Sequence, residues 1–165
     1  MDFLRSRQDG DMLSQTEQED IATAAAPYEH RQAVCLEALK IIQHHRGWVS
    51  DDSVRAIAQF LEMSADEVDG VATFYNLIFR KPVGRHVILV CNSVSCWILG
   101  YEALLRRLRE RWGIGFGETT PDGRFTLLPI PCLGACDRAP ALMIDEELHG
   151  NVEPEALDAL LARYP

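Results

Sequence analysis

The sequence has no surplus of basic residues: 16 Lys and Arg stand against 25 Asp and Glu, a formal charge of −9. Affinity for a phosphate backbone needs the reverse balance, which argues against nucleic-acid binding as a main task. No apolar run approaches the roughly 18 residues of a membrane span, so any contact with a membrane is expected to run through a partner, with no direct insertion. Residues 1–19 are polar and acidic, not a basic region followed by an apolar run; no secretory signal is expected, and the expected location is cytoplasmic. No Gly-x-Gly-x-x-Gly follows a strand-like segment, so a nucleotide site is not expected. Internal repeats and low-complexity segments are missing as well. Cysteine is scarce, five in 165 residues. The odd count, with no export signal, argues against a disulfide framework.

What is present is the composition of a soluble globular protein, 47% hydrophobic and 25% charged. The length suits one ordinary core, or one core with a small helical appendage. Residues 1–13 read as a flexible tail. Ser14 and Glu17 have capping-box spacing, so a helix is expected to start there. Val34, Ala38, Ile41 and Ile42 form a helical stripe, with Cys35 and Leu39 beside it and Gly47 at a C-cap position. After Ser50, Val54, Ile57, Ala58 and Leu61 fall at i, i+3, i+4 and i+7. Ser64 and Glu67 form another capping box, and Val68, Val71, Ala72 and Tyr75 repeat the spacing. Residues 14–78 therefore read as a helical bundle.

The character changes at Phe79–Arg85, a locally basic stretch punctuated by Pro82 and Gly84 and read as the hinge into a second domain, 79–165. His86–Val90 is a β-branched run expected to be a buried strand. Tyr101, Leu104, Leu105, Leu108 and Trp112 make a helical stripe ending near Gly113. Gly115–Gly123 is turn-rich, and Arg124–Ile130 reads as a strand. Ala141–Ile144 reads as another strand with a short return near Leu148. Leu157, Leu160, Leu161 and Tyr164 make a last helix with Pro154 near its first turn. The pattern alone gives an α+β class.

Four of the five cysteines fall into two close pairs. Cys91 and Cys96 enclose Asn92-Ser93-Val94-Ser95; Cys132 and Cys136 enclose Leu133-Gly134-Ala135. Each pair follows a predicted strand, so two loops leaving one end of a sheet would gather four sulfurs. The small intervening residues let backbone N–H groups approach a negatively charged centre, and Pro131 and Pro140 would stiffen the second loop. A lone cysteine is more often a small buried hydrophobe, and that is the reading for Cys35 on its helical stripe. Spacing alone serves a tetrahedral zinc site and an iron–sulfur cluster equally. A thiol exchanger is less well served, since Cys-x-x-Cys is absent, and the plant-type ferredoxin spacing is absent too.

Beyond spacing, the residues carry a family likeness. Gly70-Val71-Ala72-Thr73-Phe74-Tyr75, then Phe79 and Pro82-Val83-Gly84-Arg85-His86, resemble the E subunits of bacterial NADH:quinone oxidoreductase. So do Cys91-Asn92-Ser93 with Cys96, Pro131-Cys132-Leu133-Gly134-Ala135-Cys136-Asp137 with Ala139-Pro140, and the earlier Ala38-Leu39-Lys40 with Gly47-Trp48-Val49. The resemblance runs from about residue 28 to the C-terminus. It implies a thioredoxin-like ferredoxin domain preceded by a helical bundle, with a [2Fe–2S] cluster on Cys91, Cys96, Cys132 and Cys136. It also implies a place in the NADH-oxidising peripheral arm of respiratory complex I, beside the flavoprotein subunit that carries FMN and binds NADH. Location would then be cytoplasmic, peripheral to the inner membrane through the complex. The cluster would exchange electrons with the flavin, aside from the main electron path, and the chain alone would not oxidise NADH. The same module resembles subunits of NAD-linked hydrogenases and formate dehydrogenases, and the full-length match favours the quinone oxidoreductase.

Other residues carry weaker expectations. Asp137, next to Cys136, suits tuning of the potential or a cap on the next turn, the cap being favoured. His86 lies on the strand before Cys91, but four cysteines already satisfy a cluster. Trp97 suits shielding of the site or plain packing, and Phe74 and Tyr75 suit the core. The basic run Arg106–Arg111 suits a solvated helix face or a docking surface.

Overall fold

The computed structural model describes residues 12–165 and divides into two compact units, the first ending at Pro82 and the second running Val83–Pro165. Most of the tail expected over residues 1–13 lies outside the described residues. Its last residue, Leu13, is buried in the helical core.

The first unit is helical. Helix α1 (Gln15–Ala25) opens with the full capping box: the Glu17 N–H donates to Ser14 Oγ, and the Ser14 N–H donates to the Glu17 carboxylate. A 3-10 turn (Arg31–Val34) leads into α2 (Cys35–Arg46), which Gly47 ends at φ +81°, a conformation that costs glycine least. Helices α3 (Asp51–Leu61) and α4 (Ala65–Phe74) follow, capped by Ser50 and Ser64. The α3 stripe is buried as its spacing requires. On α2 the buried face is Cys35, Ala38, Leu39 and Ile42, the i, i+3, i+4, i+7 set, which leaves Ile41 half-buried at its edge.

Phe74 and Tyr75 depart from expectation: Phe74 is 77% exposed and Tyr75 43%. The buried face of α4 is Val68 and Ala72. Phe74, two residues beyond Ala72, turns away from that face, and Tyr75 is already extended past the helix end.

One charged pair is built into this unit. The Arg46 guanidinium donates from Nε and Nη2 to the two oxygens of buried Glu17, at 2.6 and 2.7 Å, and also to Ser53 Oγ and the Met12 carbonyl. These hydrogen bonds hold the Glu17 carboxyl below its ordinary range against the opposing effect of burial. The division falls after Pro82 rather than after residue 78, because the intervening segment is tied to the helices. Phe79 donates to Gln43 Oε1 and accepts from the Val49 N–H, while Arg80 pairs with Asp51 and Asp69.

The second unit is a four-stranded mixed sheet with helices, in the order β2-β1-β3-β4. Central strand β1 (His86–Cys91) runs parallel to β2 (Phe125–Ile130) and antiparallel to β3 (Leu142–Ile144), which pairs with β4 (Glu147–His149). Residues Val87–Cys91 are all buried, the unbroken apolar run of a strand covered on both faces. Between β1 and β2 lie a short helix α5 (Val94–Ile98) and the amphipathic α6 (Tyr101–Trp112). Leu104 and Leu108 of α6 join Ile88, Val90, Phe125 and Leu127 in the core, and Trp112 stacks on Phe125. At the C-terminus a 3-10 turn beginning at Pro154 precedes α7 (Leu157–Leu161). Tyr164 lies beyond that helix, its hydroxyl bonded to Glu147 and His149. The α+β class stands, with the helical unit first and the sheet unit second.

Candidate metal centre

The parallel pairing of β1 and β2 fixes where the cysteines emerge. Cys91 is the last residue of β1 and lies in register with Ile130, the last residue of β2. Both segments that follow therefore leave the same end of the sheet. Cys91 is held from both sides: its N–H donates to the Ala141 carbonyl at 3.2 Å, and the next N–H, of Asn92, donates to Ile130 at 3.0 Å.

The first segment is not the open loop that its small residues suggested. Ser93 starts α5, the Trp97 N–H reaches the Ser93 carbonyl at 2.8 Å, and Cys96 sits within the helix, 1% exposed. One helical turn carries Cys96 back toward the end of β1, where Cys91 is also buried. The second segment is a loop. Gly134 takes φ +73°, which turns its N–H onto the Cys132 sulfur at 3.3 Å. Cys136 then opens a 3-10 turn (Cys136–Arg138), and Ala139-Pro140 is a cis peptide. Cys132 and Cys136 are exposed.

Electrostatic interactions join the pairs. Burial pushes the Cys96 thiol up, with further upward contributions from Cys91 and Cys136 and a downward one from the Ala141 backbone. The Gly134 N–H pulls the Cys132 thiol down against desolvation, assisted by Cys136, Ser93 and Cys91. Cys132 thus interacts with Cys91 across the two segments, and Cys96 with Cys136. Cys35 stands apart in the helical core, its thiol raised by burial and by Glu67, as expected of an inert buried cysteine.

Among the described residues, no three Cys, His, Asp or Glu side chains converge as ligands of one metal ion. A binuclear cluster asks for something else, two thiolates at each of two irons with bridging sulfides between. Two thiol pairs on neighbouring segments, with small residues and a backbone N–H aimed at one sulfur, fit that donor set.

The remaining candidates fall away from the site. His86 begins β1, at the end opposite Cys91, where its ring meets Asp145 at 2.7 Å. Asp137 makes no cap; its carboxylate is exposed and lies 4.0 Å from Arg138, because Ala135 occupies the N-cap position of that turn. Trp97 is not packed in the core: it is 57% exposed, with Val94, Ile98 and Leu99 exposed around it. Arg107 and Arg111 of the basic run pair with Asp158. The Gly134 N–H at Cys132 is a backbone donor of the kind that the small residues between the cysteines suggested.

Comparison with known proteins shows the family. Residues 21–165 match the family described as thioredoxin-like [2Fe–2S] ferredoxin. The E subunit of the NADH-quinone oxidoreductase of Pseudomonas aeruginosa is 52% identical over 153 residues, covering 93% of this chain and 92% of its own. That of Escherichia coli is 52% identical over 152 residues, 92% of each chain. The second E subunit of Rhizobium meliloti is 42% identical over 90% of this chain and 89% of its own. Among solved structures, an NAD+-reducing [NiFe]-hydrogenase shares the fold with a TM-score of 0.67 at 24% identity, covering 79% of this chain but only 22% of the hydrogenase chain. The chain belongs to the thioredoxin-like [2Fe–2S] ferredoxin family, among the E subunits of NADH-quinone oxidoreductase.

Proposed function

We propose that Cys91, Cys96, Cys132 and Cys136 hold one [2Fe–2S] cluster, Cys91 with Cys96 on one iron and Cys132 with Cys136 on the other. The protein is then an electron-transfer subunit of NADH:quinone oxidoreductase, respiratory complex I. It exchanges electrons with the FMN of the flavoprotein subunit, sits among the other peripheral-arm subunits, and reaches the membrane only through the complex. Among the described residues no helix is long and apolar enough to cross a membrane. The observation that carries this reading is the shared exit of the two thiol pairs from the paired ends of β1 and β2.

The cluster, when bound, supplies a one-electron couple. The chain's own contributions follow from the geometry. Cys91 and Cys96 are buried and give two sulfurs screened from water. Buried thiolates need a compensating positive charge, which iron provides. Cys132 and Cys136 lie at the surface, where a partner's redox centre can approach. The Gly134 N–H favours negative charge on the Cys132 sulfur. In this reading NADH oxidation belongs to the flavoprotein subunit and not to this chain alone. The hydrogenase likeness supports the fold and no more, while the E subunits match at about twice that identity over nearly the whole chain.

The test is substitution of one ligand from each pair. Cys96→Ala and Cys132→Ala should each abolish the native visible and EPR spectrum, with the fold retained by far-UV circular dichroism. A native spectrum in either variant would remove that cysteine from the ligand set.

A further inference from the structure

Helix α4 buries Val68 and Ala72 and carries a second face that the described residues leave open. Met63, Glu67, Gly70, Val71, Phe74 and Tyr75 line a groove of about 420 Å³ along it. From Met63 to Phe74 the steps are of three or four residues, which puts these side chains on one face of the helix and its entry. The wall is aromatic: the Phe74 and Tyr75 rings meet edge to face at 5.2 Å, and both are exposed. Exposed rings beside an apolar floor mark an interaction surface, where aromatic side chains act as anchors.

Gly70 points the same way independently. It sits inside α4, exposed, with no left-handed φ, and a Cβ placed on it meets nothing within 4 Å. Glycine weakens a helix interior relative to alanine, and neither the backbone nor any neighbour in the described chain calls for it here. The missing side chain instead lets another backbone come close to α4. Glu67 gives the groove its charge. The Ser64 N–H and hydroxyl donate to one of its oxygens at 2.8 and 2.7 Å, and no cation among the described residues pairs with it.

We propose that this face of α4 receives a helix of another subunit of the complex, one that sets a large apolar side chain between Gly70 and Phe74 and a Lys or Arg against Glu67. The inference rests on the reading of the chain as a subunit of NADH:quinone oxidoreductase. A helix suits the groove because its apolar face can lie along α4 at the close approach that Gly70 permits. A second copy of this chain is the poorer occupant, since each copy carries a charge of −9 and two copies repel. The apolar contact at Phe74 supplies most of the attachment. The Glu67 charge lies at the rim, where it sets register and salt dependence.

The experiment uses the purified complex holding the full chain as wild type, Phe74→Ala, Gly70→Ala, Gly70→Leu or Glu67→Gln. Each variant should fold: Phe74 is exposed, Gly70 has room for a side chain, and glutamine keeps the capping box with Ser64. The readout is the rate at which isotope-labelled chain leaves the complex into excess unlabelled chain, followed by mass spectrometry. Phe74→Ala and Gly70→Leu should leave about tenfold faster or more, as expected when an anchor is lost or its seat is filled. Gly70→Ala should leave faster as well while raising the Tm of the free chain, a pairing that a role in this chain's own fold would not produce. Glu67→Gln should leave faster at low salt, with the difference shrinking at high salt. With the photo-cross-linker p-benzoylphenylalanine at position 74, the product should join a helix of another subunit within one turn of a Lys or Arg. Wild-type dissociation rates in Phe74→Ala and Gly70→Leu, or cross-links to this chain or a second copy alone, would overturn the docking face and leave the proposed function standing. A wild-type chain that enters no complex would overturn the proposed function and this inference with it.

Discussion

The two cysteine segments present their sulfurs by opposite means. From β1, a strand end and one turn of α5 bury Cys91 and Cys96, locked by the hydrogen bonds from Cys91 to Ala141 and from Asn92 to Ile130. After β2, an irregular loop leaves Cys132 and Cys136 exposed and shapes itself around a left-handed glycine. One pair is fixed by secondary structure, the other by local backbone chemistry. The lesson is a division of labour, with a dry, rigid wall on one side of the site and an open face on the other. The helical unit adds a control. Cys35 is buried like Cys91 but is the one cysteine of its unit, and buried Glu17 keeps its charge because Arg46, first, and the Ser14 N–H are bonded to it.

The largest effect should appear in thiol reactivity of the cluster-free native chain. Cys132 and Cys136 should be alkylated at least ~10-fold faster than Cys91, Cys96 and Cys35, since reaction needs both access and thiolate. Peptide mass spectrometry after a short pulse with iodoacetamide reads this directly. Equal labelling of all five would break the contrast between wall and open face.

The next effect compares buried charge with buried thiol. Glu17→Gln removes half of the Arg46 pair and should cost about 2 kcal/mol at pH 7, below the full value for a buried pair because Arg46 keeps some exposure. The folded-state carboxyl is depressed, so its stabilisation is present above the unfolded carboxylate value, near pH 4.5, and is lost as pH falls through the folded value. The gap between wild type and Glu17→Gln should therefore narrow from pH 7 to pH 3.5 in urea melts followed by far-UV circular dichroism. A gap that widens in acid would reverse the account of this pair.

The smallest effect separates two glycines. Gly47 (φ +81°) and Gly134 (φ +73°) both have open space where a Cβ would sit, so alanine at either costs conformational strain of about 1 kcal/mol rather than a clash. Gly47→Ala should lower stability and leave the cluster spectrum unchanged. Gly134→Ala should perturb the spectrum as well, because it disturbs the N–H at Cys132. Identical spectra in both variants would show that the loop glycine serves the fold alone.

Much of this is legible in the sequence. The capping boxes at Ser14 and Ser64 and the apolar run of β1 follow from local chemistry, and local chemistry sets them. The shared exit of the cysteine segments is legible too, because each pair follows a strand. What escapes depends on tertiary context or on a single turn. Helix α5 is five residues long and too short for a periodic signal. Phe74 and Tyr75 continue an apolar pattern past the point where the helix stops facing the core. The cap expected of Asp137 depended on where a 3-10 turn begins, a matter of one residue.

The central claim is that the four thiols serve one binuclear cluster. The most direct measurement is the iron, zinc and acid-labile sulfide content of the anaerobically purified chain, with EPR spectra before and after dithionite. The account predicts about two irons and two sulfides per chain and a signal that appears only on reduction. Zinc in place of iron, reproduced under anaerobic handling, would contradict it and make the same four cysteines a structural site.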